Sequence, residues 1–211
     1  MDLNSERNRW DTRFGGEHFH FGTAPNRFLA SQAHLLKPGM SALCVADGES
    51  RNGVWLAGQG LRVTAFDFSP VGVEKARRLA READVVLEHH VANINDWNWD
   101  ARHFDLVVVI FTQFATPQER ERMFAGVVRA LAPGGILLLQ GYTPKQLEYG
   151  TGGPKQIEHL YTDALLRKSF AALEILHLAE HEEMVEEGHG HRGMSALIDL
   201  VARKPVNLMP R

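Results

Sequence analysis

Two residues set the chemistry that this chain announces, a glycine and an acid. Gly48 stands in a turn, and Asp67 follows it by about 20 positions, the separation at which a strand–turn–helix–strand unit sets a carboxylate against a ribose. Asp47, Glu49, Arg51 and Asn52 crowd around the glycine. No Ser/His/Asp set and no carboxylate pair announces a general base elsewhere. His181, His189 and His191 are the densest group of potential metal ligands. A His-x-His in a glycine-rich turn, with no acid or cysteine at a known ligand spacing, favours solvation over a metal.

The composition of the turn bears on which nucleotide it serves. A dinucleotide fold wants G-x-G-x-x-G, so that backbone approaches a pyrophosphate and the helix packs close to the strand. Here the three positions are Ala46, Gly48 and Arg51, and an arginine fits poorly at the third. The Gly-Lys-Ser/Thr end of a phosphate-binding P-loop is absent. Asp47 and Glu49 would repel a pyrophosphate but suit a cation, and S-adenosylmethionine (SAM) combines an ammonium, a sulfonium and an adenosine ribose. Acids are also common at helix N-termini for dipole reasons alone, and on these two residues the readings balance.

Positioning those residues requires regular elements. Ser41 to Ala46 is an apolar run between Pro38-Gly39 and Gly48, as expected for a strand buried on both faces. Asn52 to Ala57 starts a helix that Gly58 and Gly60 end, and Leu61 to Phe66 is a second buried strand. Ser69-Pro70 caps a helix running to about Arg81. Strands are expected over Val85–Val91, Phe104–Phe111 and Ile136–Gln140. A capping box, Thr116 to Glu119, opens the helix between the last two. Thr162 caps a short helix to Phe170, and strands near Leu173–His181 and Met194–Arg203 flank a loop with His189, His191 and Arg192. Before all this, Asn4–Phe14 reads as a helix with Trp10 and Phe14 on one face, and Asn26–Leu36 as another.

Open α/β sheets bind ligands at the C-terminal ends of their strands. Gln113 lies at such an end, as do the Tyr142–Tyr161 segment, mobile through Gly150, Gly152 and Gly153, and the loop carrying His191. A substrate is expected between those two segments, against an apolar wall with polar tips from Tyr149 and His191. At 211 residues and a net charge of −3, one α/β domain is expected, with residues 1–40 as a helical lid and 41–205 as the core. The charge gives no basic footprint for nucleic acid, and no apolar run has the length of a membrane span. The single cysteine, Cys44, fits a reducing, cytoplasmic setting.

Val-Ala-Asp-Gly-Glu-Ser-Arg-Asn-Gly-Val-Trp-Leu-Ala (45–57), Val-Thr-Ala-Phe-Asp-Phe-Ser-Pro (63–70) and Leu-Ala-Pro-Gly-Gly (131–135) resemble the class I SAM-dependent methyltransferases. Trp10-Asp11 with Arg13-Phe14, Gly22–Asn26, Glu148–Pro154 and the closing Leu-Val-Ala-Arg-Lys-Pro (200–205) are similar to the small tellurite-resistance-like group. That group usually reads Asp-Leu-Ala-Cys-Gly-Glu-Gly-Arg-Asn, where this chain has Cys44, Asp47 and Ser50 at the first, fourth and seventh places. The resemblance implies a Rossmann-like, doubly wound, mostly parallel seven-stranded sheet with an antiparallel last strand and helices on both faces. It implies SAM as cofactor and S-adenosylhomocysteine as its product. It further implies contacts from Trp10 and Arg13 on the lid and from Ala46, Asp47, Gly48 and Asn52 in the turn. Asp67 and Phe68 would sit at the ribose, Asn93 and Ile94 at the adenine, and Ile110 at the fourth strand's end. The function implied is methyl transfer to a small molecule with a soft nucleophile, a thiol or chalcogen oxyanion. Gln113 stands where the group often has a histidine. A SAM-binding protein without catalysis is the rival that Cys44, Asp47 and Ser50 motivate; a dinucleotide oxidoreductase is the rival that Arg51 opposes.

Overall fold

The computed structural model describes residues 3–188 and 190–206, with side chains from residue 6 onward. In chain order the elements are α1 (Leu3–Phe14), α2 (Arg27–Ser31), β1 (Ser41–Val45), α3 (Arg51–Gly58), β2 (Arg62–Asp67), α4 (Pro70–Glu82), β3 (Glu88–Val91) and β4 (Phe104–Ile110). There follow α5 (Pro117–Ala130), β5 (Leu131–Tyr142), α6 (Gln146–Tyr149), α7 (Asp163–Ser169), β6 (Glu174–Glu187) and β7 (His191–Arg203). The strands form one sheet in the order β3-β2-β1-β4-β5-β7-β6, reversing direction of travel between β1 and β4. Only β7 runs antiparallel to its neighbours, so the expected doubly wound sheet is observed.

Alternation along the central strands builds two cores. Leu43, Val45, Val107, Val109, Leu137 and Leu139 point to one face, where Met123, Phe124 and Val127 of α5 cover them. Ala42, Cys44, Leu106, Val108, Ile110 and Leu138 point to the other, under Phe28, Leu29 and Leu56. This is why the strands read as unbroken apolar runs: both faces are buried. The expected caps form at Ser69, at Thr162 and in the Thr116–Glu119 box. Trp97 stacks on Phe66 at 4.3 Å and Trp99 is buried, so both are packing anchors.

Three expectations need correcting. The helix foreseen from Asn26 to Leu36 stops at Ser31 and resumes as a 3-10 turn over Ala33–Leu35. The third strand is confined to Glu88–Val91. The wide loop foreseen between the last two strands is a long hairpin whose ladder continues to Glu187 opposite His191. Its outer strand is studded with Glu and His, the usual protection of an exposed sheet edge. His189 lies outside the described residues.

Candidate functional site

The turn after β1 is unusually bent. Ala46, Gly48 and Ser50 have φ of 49°, 56° and 64°, so every second residue is left-handed. Ser50, at the N-cap of α3, gives no side-chain cap. Asp47 substitutes for it: its Oδ2 accepts from the Gly53 N–H at 3.0 Å and from Ser50 Oγ at 2.7 Å. Asp67, at the end of β2, accepts from Gly48 N–H through Oδ2 and from Ser69 N–H through Oδ1, both at 2.8 Å. Each oxygen keeps acceptor capacity. Burial lifts both carboxyls to about 6, against the hydrogen bonds that pull them down.

The N-terminal segment is fastened onto this turn. A Cβ on Gly48 would stand 3.1 Å from the Phe14 ring, which also covers Gly72, so α1 lies directly against the turn. Trp10 stacks on Phe14 at 5.4 Å, and Arg13 lies over Trp10 at 4.7 Å. Lys75 Nζ donates to the carbonyls of Phe14, Gly16 and His18 and pairs with Glu49, while His20 N–H donates to the same carboxylate at 2.6 Å. Asp11 meets Ser69 Oγ. A buried, multiply bonded lysine of this kind fixes the segment rather than decorating it.

From Phe14 a line of rings crosses to the strand ends. Phe14 meets Phe21 at 6.3 Å, Phe21 meets His191 at 4.5 Å, His191 meets Phe111 at 4.4 Å, and Phe111 stacks on Tyr142 at 4.8 Å. Phe111, at the end of β4, has φ of 53°, backbone strain of the kind that gathers at functional sites. His191 is buried with Nδ1 unbonded, 3.8 Å from Glu187 Oε2; the Tyr142 hydroxyl is also buried without a partner. Burial lowers the His191 pKa, Glu187 opposes this, and Arg51 and Arg13 add to the lowering, so the ring is neutral. Burial also raises Glu187, but the His191 contact and the Arg51 charge outweigh it and hold the carboxyl at about 2. Glu187 Oε1 accepts from Asn26 Nδ2, which bonds Gln140, which bonds Asp199, which meets His181 at 2.9 Å. That chain ends at a separate cleft of about 340 Å³ whose floor groups, Gln140 and Asp199, satisfy one another.

Residues 42–135 match the family model described as a methyltransferase domain. Over that stretch, a little under half of its length, the chain resembles a methyltransferase domain. It is 29% identical over 124 residues to a carboxy-S-adenosyl-L-methionine synthase of Photorhabdus laumondii, covering 56% of this chain and 46% of that one. The chain thus spans about half the length of the curated relatives it matches. In fold it is similar to the structure reported for conversion of a disulfide bond into a thioacetal group during echinomycin biosynthesis. The TM-score is 0.75 at 19% identity, over 95% of this chain and 90% of that one. TehB from Haemophilus influenzae gives 0.71 at 17% identity, over 86% and 63%.

Several expected site residues fall together around the turn: Trp10, Arg13, Ala46, Gly48, Asp67 and Phe68, the last beneath Arg7 at 4.7 Å. Others are turned elsewhere. Asp47 faces the helix start rather than outward, and Asn52 Oδ1 accepts from Asn26 N–H at 2.9 Å. Asn93 folds onto its own turn through Asn95 N–H, while Ile94 and Ile110 are buried in the cores. On the substrate side only His191 meets the ring wall. Gln113 is spent on backbone, donating to the carbonyls of Tyr142 and His159 and accepting from Tyr142 N–H at 2.5 Å. Tyr149 leaves the site altogether, its hydroxyl donating to Glu182 on β6 beside Lys145, because α6 points it across the exposed hairpin. Phe111, Tyr142, Glu187 and Arg51 were not foreseen in these places. Arg51 alone gave a signal, as an arginine at the place where a dinucleotide-binding turn has its third glycine.

Proposed function

We propose that this protein is a methyltransferase that binds SAM over the turn at Gly48 and passes its methyl group to a small molecule with a soft nucleophile, a thiol or a chalcogen oxyanion. One observation carries this reading: an aromatic wall leads from the glycine turn beside the anchored Asp67 carboxylate to a buried, neutral histidine. The residues fit the cofactor. Asp67 has an unspent acceptor site on each oxygen for a ribose diol, held in place by two backbone donors. The half-buried rings of Phe21 and Phe111, with the buried Tyr142 stacked on Phe111, offer aromatic surface to a sulfonium.

The bound cofactor supplies a methyl group already activated by positive sulfur. This chain's contribution is therefore alignment and desolvation, which can account for several kcal/mol of a barrier on their own. The lid, fixed through Lys75 and Glu49, closes the side opposite the sheet. His191, neutral near pH 7, can take the proton released when a thiol is methylated, with Glu187 beside it to balance the charge. A chalcogen oxyanion brings no proton to remove, so the same site serves it without a strong base. The tellurite-resistance-like grouping is consistent with the likeness to TehB. The names of the curated relatives support SAM as the cofactor. With a net charge of −3 the acceptor is a small molecule rather than nucleic acid, and the lone Cys44, buried, suits a reducing cytoplasm. Among the described residues no helix is long and apolar enough to cross a membrane.

The test is methyl transfer from labelled SAM across tellurite, selenite, thiols and small phenols. Label should move to a thiol or to an oxyanion of tellurium or selenium and appear with S-adenosylhomocysteine. SAM binding without transfer to any of them would favour a binding protein, and transfer only to phenols would refute the soft acceptor.

A further inference from the structure

Arg51 stands where a dinucleotide-binding turn would carry its third glycine, and it is not a passive replacement. Its side chain is 8% exposed, and a guanidinium at that depth is stable only with partners. Nη2 donates to Glu187 Oε2 at 2.5 Å and Nη1 to the Ala24 carbonyl at 3.2 Å. Glu187 is held from its other side by Asn26 Nδ2 at 3.1 Å and Arg27 N–H at 3.2 Å, and it faces His191. One side chain launched from the cofactor turn therefore grips both the lid backbone and the carboxylate at the acceptor end.

We infer that Arg51 is a positioning residue that ties the cofactor turn to the acceptor end by clamping Glu187, and so fixes how Glu187 is presented to His191. This rests on reading the site as a methyl-transfer centre. Around His191 the charged or titratable groups are Glu187 on β6, Arg51 on α3, Arg13 on α1 and Tyr142 on β5, with His20 against the far side of the Phe21 ring. Glu187 has Arg51 as its one close permanent cation among them. Without Arg51 the buried carboxylate turns to His191 as its remaining cation, and the imidazole holds its proton to higher pH. Arg51 thus keeps Glu187 satisfied and leaves His191 free.

The experiment is an NMR titration of the His191 ring in the protein without cofactor, for the natural chain, R51M, R51K, E187Q and R51M/E187Q. R51M should raise the His191 midpoint by about one unit, the effect of an unscreened carboxylate at this range. R51K should restore most of the natural value, and adding E187Q to R51M should abolish the rise. A rise that persists in the double variant, or no rise in folded R51M, overturns the inference. If R51M does not fold, E187Q decides: it should lower the midpoint, and an unchanged midpoint overturns the coupling. With an acceptor in hand, R51M should move the acid limb of the rate profile upward by the same one unit and cut kcat at pH 7 by up to about threefold, with the KM for SAM unchanged; a KM effect alone would also overturn it. Failure of the natural protein to bind SAM in calorimetry would refute methyl transfer while leaving the ring titration to stand or fall alone.

Discussion

Asp67→Ala is the sharpest test of the cofactor site. The carboxylate has a backbone donor on each oxygen, from Gly48 and Ser69, which fixes its plane and leaves further acceptor capacity on both. Two ribose hydroxyls bound there would each make a charge-assisted hydrogen bond, worth about 1.5–3 kcal/mol apiece at best. Asp67 is only partly buried, so water recovers part of that in the variant. A net loss of about 2–3 kcal/mol follows, or roughly 30- to 150-fold in Kd for SAM. Isothermal calorimetry at pH 8 reads it directly. The natural protein adds a signature in pH: with the carboxyl lifted to about 6, affinity should weaken as the pH falls through that value. Asp67→Asn should flatten this dependence, and it should bind less well, because an amide nitrogen would oppose one of the two backbone donors. The same group acts on stability with the opposite sense. Its folded-state pKa lies above the ordinary 3.8, so its favourable contribution is full below about pH 4 and is lost as the pH rises through 6. A folded Asp67→Ala protein that binds SAM as tightly as the natural chain would refute the assignment of the ribose site.

His191→Ala should lower methyl transfer at least tenfold while leaving SAM affinity within about twofold, whereas Tyr149→Ala should change neither; equal effects in radiolabel and calorimetric assays would contradict the placement of the acceptor. Ser50→Gly removes a left-handed non-glycine residue, worth up to about 1 kcal/mol, and loses the bond to Asp47, so thermal melting should show stability unchanged or slightly raised. A melting point lower by several degrees would show that the Ser50–Asp47 bond outweighs the backbone strain. Lys75→Met strands the buried Glu49 carboxylate and frees the carbonyls of Phe14, Gly16 and His18. About 3–5 kcal/mol of stability should go, and limited proteolysis should cut first before residue 25; an N-terminal segment left intact under those conditions would refute the latch. Gly126→Ala drives a methyl into the Trp99 ring and should cost about 1–3 kcal/mol in urea unfolding, and a neutral result would mean that the ring can move aside.

What the sequence determined by itself is local or periodic. The apolar runs at 41–46, 61–66 and 104–111 identify strands buried on both faces because no alternation survives when both faces are covered. The caps at Ser69, Thr116 and Thr162 are readable because each is satisfied within three or four residues. The spacing from Gly48 to Asp67 is likewise fixed by one turn, one helix and one strand, and it led to a real contact between them. Partners far apart along the chain were decided only in three dimensions. Arg51 and Glu187 stand 136 positions apart, and nothing within either segment specifies the other. The register of the β6–β7 hairpin places Glu187 opposite His191, and that pairing rests on a ladder over thirteen residues of β7 that no short motif encodes. Side-chain direction was equally hidden. Gln113, Tyr149 and His191 all lie near the C-terminal edge, as the topology required, but backbone partners claimed Gln113, Glu182 claimed Tyr149, and only His191 was left facing the ring wall. A polar side chain goes to whichever buried or charged partner the fold brings within about 3 Å, and that partner is a property of the assembled sheet rather than of its strands.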